Sequence, residues 1–161
     1  MLPGLDGWLR ARLERLPSPM IACTVRCVIE EMLAGGLFRE ASRWAAAGIR
    51  LARTRGWGGF VALFYCHRAV ALARLGRVAA AEICRHRAAL AANPDERWTP
   101  AWLARADGLI AQARGDAAAA ERHLAKAKRL FQRIGSRYDA RQVEAELTGR
   151  AGSAASETGL G

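Results

Sequence analysis

The sequence predicts an all-α fold, and three observations carry that prediction. Alanine supplies 35 of the 161 residues, and with leucine, arginine and glutamate it gives a chain dominated by strong helix formers. Apolar and small side chains recur at three- and four-residue steps, the period of a helix buried along one face. No run alternates β-branched residues as a half-buried strand does, and the five prolines fall mostly between the periodic stretches. The length suits one domain with a real core, expected over residues 1–148, with a loose tail of small and polar residues over 149–161.

Asp6 is placed to cap a short first helix in which Leu5, Trp8, Leu9, Leu13 and Leu16 form one stripe. Pro17-Ser18-Pro19 breaks the chain, because neither proline donates an N–H and each restricts the residue before it. A second helix is expected over residues 20–34, ended by Gly35-Gly36, and a third over residues 37–55 with Phe38, Ala41, Ala45, Ile49 and Ala52 turned inward. The fourth, residues 59–75, is apolar nearly all round and belongs at the centre of the core. A fifth follows Gly76 and runs to about Ala92, where Asn93-Pro94-Asp95 signals a turn. A loop through Trp98 and Pro100 then leads to a sixth helix over residues 100–114.

Residues 115–135 state a seventh helix completely. Gly115 ends the helix before it, Asp116 is a good N-cap, and Gly135 suits the left-handed residue past the far end. Ala117, Ala120, Leu124, Ala127 and Phe131 form its packing face. The last helix is expected over residues 136–147.

Composition excludes some classes. The longest apolar run near the middle, residues 60–66, is stopped by His67 and Arg68, far short of the roughly 20 residues a membrane span needs. Arg10, Arg12, Glu14 and Arg15 stand where a signal peptide needs an apolar core, so a cytoplasmic protein is expected. Cys23, Cys27, Cys66 and Cys84 lie in apolar helical patterns and are read as reduced structural thiols. The net charge of +10 rests on 23 arginines and two lysines, a bias that a GC-rich genome explains as readily as a polyanionic partner.

An internal repeat runs through these helices. Gly36, Gly76 and Gly115 lie 40 and 39 residues apart, each followed five residues later by alanine (Ala41, Ala81, Ala120). Twelve residues after each glycine stands Gly48, Ala88 or Ala127, and seven before it Ile29, Ala69 or Gly108. Small residues at matched places let two helices cross closely in each unit. The pattern resembles the tetratricopeptide repeat, over roughly residues 20–147, in the long-unit style of large bacterial transcriptional regulators and signalling ATPases. The resemblance implies antiparallel helix pairs stacked into a right-handed α-solenoid with short capping helices and a concave groove. The phosphate-binding G-x-x-x-x-G-K-[ST] that such ATPases carry is absent from this sequence.

Candidate chemistry is sparse. Cys23 with Cys27, Cys66-His67 and Cys84-x-His86 lack the tight paired spacings of a zinc site. His67, His86 and His123 sit on separate helices with no acidic or hydroxyl partner nearby in sequence, so no enzyme, metal or cofactor is expected. Arg122, Lys126, Arg129 and Arg133 fall at steps of four, three and four and form one basic stripe, either a phosphate-contacting surface or a solvated outer face.

The resemblance further implies that the first helix of each pair lines the groove, which selects Arg26, Glu30, Leu63, Cys66, Val70, Arg74, Trp102, Arg105 and Leu109. An apolar groove with three arginines suits an acidic-hydrophobic segment of another protein. The function expected is therefore a protein-interaction module, a regulatory adaptor or the sensor part of a transcriptional regulator. Nucleic-acid binding through the basic stripe and an effector-binding pocket are the alternatives.

Overall fold

The structure, a computed structural model, describes residues 20–149. The short helix expected near Asp6 and the tail beyond Gly149 lie outside the described residues. Seven helices follow one another: α1 (Met20–Ala34), α2 (Phe38–Thr54), α3 (Gly58–Arg74), α4 (Val78–Ala91), α5 (Trp98–Ala113), α6 (Ala117–Arg133) and α7 (Arg137–Leu147). Among the described residues there is no strand. The fold is all-α.

Five of the six connections are three-residue turns, and they are built alike. At the repeat glycines φ is +74°, +69° and +81° (Gly36, Gly76, Gly115), a region costly for any residue with a Cβ. The residue after each glycine then donates its N–H back across the turn: Leu37 to Met32, Arg77 to Leu72 and Asp116 to Ala111, at 2.8, 2.9 and 3.0 Å. These bonds satisfy carbonyls that the helix end leaves without a partner.

The sixth connection differs from the sequence expectation. The helix expected from Pro100 starts two residues earlier, so that Trp98 and Thr99 belong to α5 rather than to the loop. Glu96 supplies the cap, its carboxylate accepting from the N–H groups of Trp98 (2.7 Å) and Thr99 (2.6 Å) and from the Thr99 hydroxyl. Pro100 fits because a first-turn residue has no intrahelical acceptor for an N–H.

Each helix packs on its neighbours in the chain, and α3 additionally meets α1 and α5. Residues 61–67 of α3 are buried without interruption, as its all-round apolarity predicts. Positions matched by the repeat share an environment: Ala41, Ala81 and Ala120 are buried, as are Ile29, Ala69 and Gly108, and Gly48, Ala88 and Ala127.

Two of these positions mark the closest helix approaches. A Cβ on Gly108 of α5 would stand 2.6 Å from Cγ of Leu124 on α6, and one on Gly48 of α2 would stand 3.0 Å from the Phe64 ring on α3. Leu124 is itself fully packed, so Gly108→Ala forces the two helices apart. A loss of about 1–3 kcal/mol is expected in urea unfolding; an unchanged midpoint would mean that the crossing is looser than described.

Candidate functional site

The inner faces of α1, α3, α5 and α7 converge on a buried polar network. Arg105 of α5 is 4% exposed, and its guanidinium holds Glu146 of α7 in a fork, Nε to Oε2 at 3.1 Å and Nη2 to Oε1 at 2.8 Å. Burial works against the Arg105 charge, but the attraction and hydrogen bonding of Glu146 more than offset it and hold the pKa above its ordinary value. Arg74 of α3 approaches the same carboxylate at 3.6 Å, and Arg26 of α1 lies 3.4 Å from Glu30 one turn along.

Glu30 Oε1 in turn stands 3.2 Å from Nε2 of the buried His67, whose Nδ1 donates to the Leu63 carbonyl at 2.7 Å. With Nδ1 so engaged, the contact to Glu30 is a hydrogen bond only when a proton sits between them, on Nε2 or on Oε1. The His67 ring lies tilted against Trp102, centroids 4.1 Å apart and planes at 38°, and Arg105 covers Trp102 at 4.8 Å.

Asp139 of α7 completes the network, 3% exposed, accepting from the Ser136 hydroxyl at Oδ2. Burial pushes its carboxyl up from the usual range; the Ser136 hydroxyl works the other way, and Glu30 adds to the rise. Asp139 Oδ1 and Trp102 Nε1 are buried with no hydrogen-bond partner among the described residues.

The residues selected for an open groove are thus brought together, but inside the molecule. Leu63, Cys66, Val70, Trp102, Arg105 and Leu109 are buried. Only Arg26 and Arg74 keep appreciable exposure, 21% and 23% of their side chains. The three arginines are engaged by Glu30 and Glu146 rather than presented to a ligand. Sequence reasoning missed Asp139 and Glu146, and set His67 aside for want of an acidic partner that the fold supplies in Glu30. The available signal was the spacing of Asp139, Val143 and Glu146, at steps of four and three, which puts two carboxylates on the buried face of α7.

The cysteines divide. Cys66 and Cys84 are buried, and burial raises both thiols above their ordinary pKa. Cys23 and Cys27 are exposed on α1 and not part of an apolar core, because the buried stripe of that helix runs through Ile21, Val25, Ile29 and Leu33 instead. No cluster of three or more His, Cys, Asp or Glu able to hold a metal occurs among the described residues. No helix among them is long and apolar enough to cross a membrane.

The outer surface has the opposite electrostatic character. Arg122, Lys126, Arg129 and Arg133 are all exposed on α6, and none has an ion-pair partner among the described residues. Arg43 and Arg50 of α2 stand, like Arg122 and Arg129, seven and fourteen residues after a repeat glycine, and they too are exposed.

Most described carboxylates, by contrast, are engaged by other groups of the chain. Glu82 pairs with Arg114, Asp107 with Arg85 and Glu144 with Lys128, while Glu96 and Asp116 cap helices. The pairs of Glu82 and Glu144 lie at the surface, and Glu40, Asp95 and Glu121 have no ion pair among the described residues, so what distinguishes the outer surface is an excess of unpaired cations. No protein-family model, curated protein or solved structure matches the chain.

Proposed function

We propose that this chain is a protein-interaction module, a right-handed α-solenoid of the tetratricopeptide type serving as a cytoplasmic regulatory adaptor or as the sensor part of a bacterial transcriptional regulator. It has no catalytic role and takes no cofactor; its partner is an acidic segment of another protein. The solenoid reading is supported by the uniform turns and by the equivalent burial of the repeat-matched small residues. The binding reading rests chiefly on charge: most described carboxylates are paired or cap helices, while Arg122, Lys126, Arg129 and Arg133 are exposed with no ion-pair partner among the described residues.

Occupation of the inner groove would require Glu146 to release Arg105 and Arg74, whereas the outer face is available without rearrangement. The stripe of Arg122, Lys126, Arg129 and Arg133 also favours a second reading, a nucleic-acid contact.

One experiment separates the two. Full-length chain is used to capture partners from source cells at low salt, with and without nuclease, followed by mass spectrometry. A protein interaction module should retain acidic proteins after nuclease and lose them when the four stripe cations are reversed to glutamate. Loss of all captured protein on nuclease treatment would establish the nucleic-acid reading in its place.

A further inference from the structure

Helix α7 is held to the rest of the molecule in two unlike ways. It packs on α6, its neighbour in the chain, and Ala140 and Val143 join the apolar core. It reaches α1, α3 and α5 with polar side chains. The Tyr138 hydroxyl donates to Glu31 of α1, Glu146 meets Arg74 of α3 and Arg105 of α5, and Asp139 lies within the electrostatic reach of Glu30, His67 and Arg105.

Asp139 and Glu146 are seven residues apart and share one face of α7, with Val143 between them. All three are buried. The segment is thus a short amphipathic helix with its carboxylates on the inward side, one of them forked by an arginine. That is the chemistry of the acidic-hydrophobic ligand that an apolar groove with arginines suits.

These contacts fix where α7 sits more than they deepen its seat. Desolvation of a buried ion pair offsets much of its attraction. Asp139 Oδ1 is buried with no hydrogen-bond partner among the described residues, a cost of the docked state that water relieves when α7 leaves. Departure also returns Glu146 to water and uncovers Arg74 and Arg105.

We infer that α7 is a releasable strap, an intramolecular stand-in that fills the inner groove of the free chain until a partner helix displaces it. The partner helix carries two carboxylates seven residues apart with an apolar residue between them, because Asp139, Val143 and Glu146 show what the inner faces of α1, α3 and α5 accept. A nucleic-acid backbone has the charge but nothing apolar to replace Val143. A lipid surface is too flat to enter between helices. The inference rests on the interaction-module reading and adds to the outer cations a second surface, closed in the free chain.

The test uses the full chain, wild type and Glu146→Lys, and an end-capped fluorescent peptide of residues 136–148 followed by anisotropy. The substitution sets a like charge against Arg105 and Arg74, so the strap opens. The variant should bind the peptide at least about tenfold more tightly than the wild-type chain, whose own α7 must first be released. A peptide carrying Asp139→Asn and Glu146→Gln should lose that advantage. Circular dichroism should show the variant losing no more helix than the 11 residues of α7. Hydrogen exchange of the wild-type chain gives a reading that does not depend on how the variant folds: α7 amides should exchange through an opening that leaves α3 and α5 protected at least about tenfold better.

Equal affinity of the two chains for the peptide, or exchange of α7 only together with α3 and α5, overturns the inference, and the interaction-module reading then stands on the outer cations alone. If the variant does not fold, the exchange measurement decides by itself. Failure of both chains to capture any cellular protein overturns the module reading, and the partner helix inferred here falls with it.

Discussion

Truncation of Arg105 to alanine is expected to cost about 3–5 kcal/mol of unfolding free energy, a large part of the roughly 5–15 kcal/mol that holds a folded domain together. The guanidinium is 4% exposed and, among the described residues, is the only group that forks onto Glu146. Arg74 stays within 3.6 Å of the same carboxylate, but from a more exposed position and through a single contact. Removing Arg105 therefore leaves Glu146 buried with half its compensation. It also uncovers the face of Trp102.

The companion variant separates charge from packing. Replacing both partners with apolar residues of similar volume, Arg105→Met with Glu146→Leu, removes the desolvation cost together with the attraction, and is expected to be near neutral or stabilising. Urea denaturation of the two variants decides the matter. If Arg105→Ala costs less than about 1 kcal/mol, the residue is accessible and the groove is open in solution; a severe loss in the double variant would mean that the network specifies the packing of α7 rather than merely satisfying buried charges.

This outcome also explains which parts of the molecule were legible in sequence. Helix positions followed from local chemistry: Asp116 accepts from the Ala119 N–H at 2.9 Å as its place after Gly115 implies, and Leu124 and Phe131 are buried as their spacing from Ala117 and Ala120 implies. The exposure of the α6 basic stripe followed for the same reason, since one helix's periodicity fixes both of its faces.

The inner network was not legible, because its bonds join residues far apart in the chain. Arg105 and Glu146 are 41 residues apart, Glu30 and His67 37, and periodicity carries no information about which helix meets which. His67 was accordingly read as lacking an acidic partner. Trp98 and Thr99 were read as loop because a glutamate two residues before the first helical position is a less familiar cap than serine or aspartate. Cys23 and Cys27 were read as structural thiols within an apolar pattern because the apolar residues of α1 allow more than one stripe, and Ile21, Val25 and Ile29 form the buried one.

Trp102 is where the inner network and the apolar core meet, and its removal should be as costly as that of Arg105. It is fully buried, with Phe131 of α6 set edge-on at 5.5 Å and an interplanar angle of 84°, and His67 of α3 tilted against it at 4.1 Å. Trp102→Ala thus opens a cavity touching three helices and is expected to cost about 3–5 kcal/mol. The two large effects should not add, because Arg105 rests on the Trp102 ring and each variant removes part of the same assembly.

Trp102→Phe provides the sharper measurement. The indole N–H is buried without an acceptor among the described residues, and leaving such a donor unpaired costs about 1–3 kcal/mol. Phenylalanine removes that donor, keeps the ring that faces His67 and Phe131, and loses only the volume of the second ring. Its cost in urea unfolding is therefore expected to be less than half that of alanine. If phenylalanine proves as damaging as alanine, the indole N–H is hydrogen-bonded in solution, and the inner network extends to a group beyond those that surround it here.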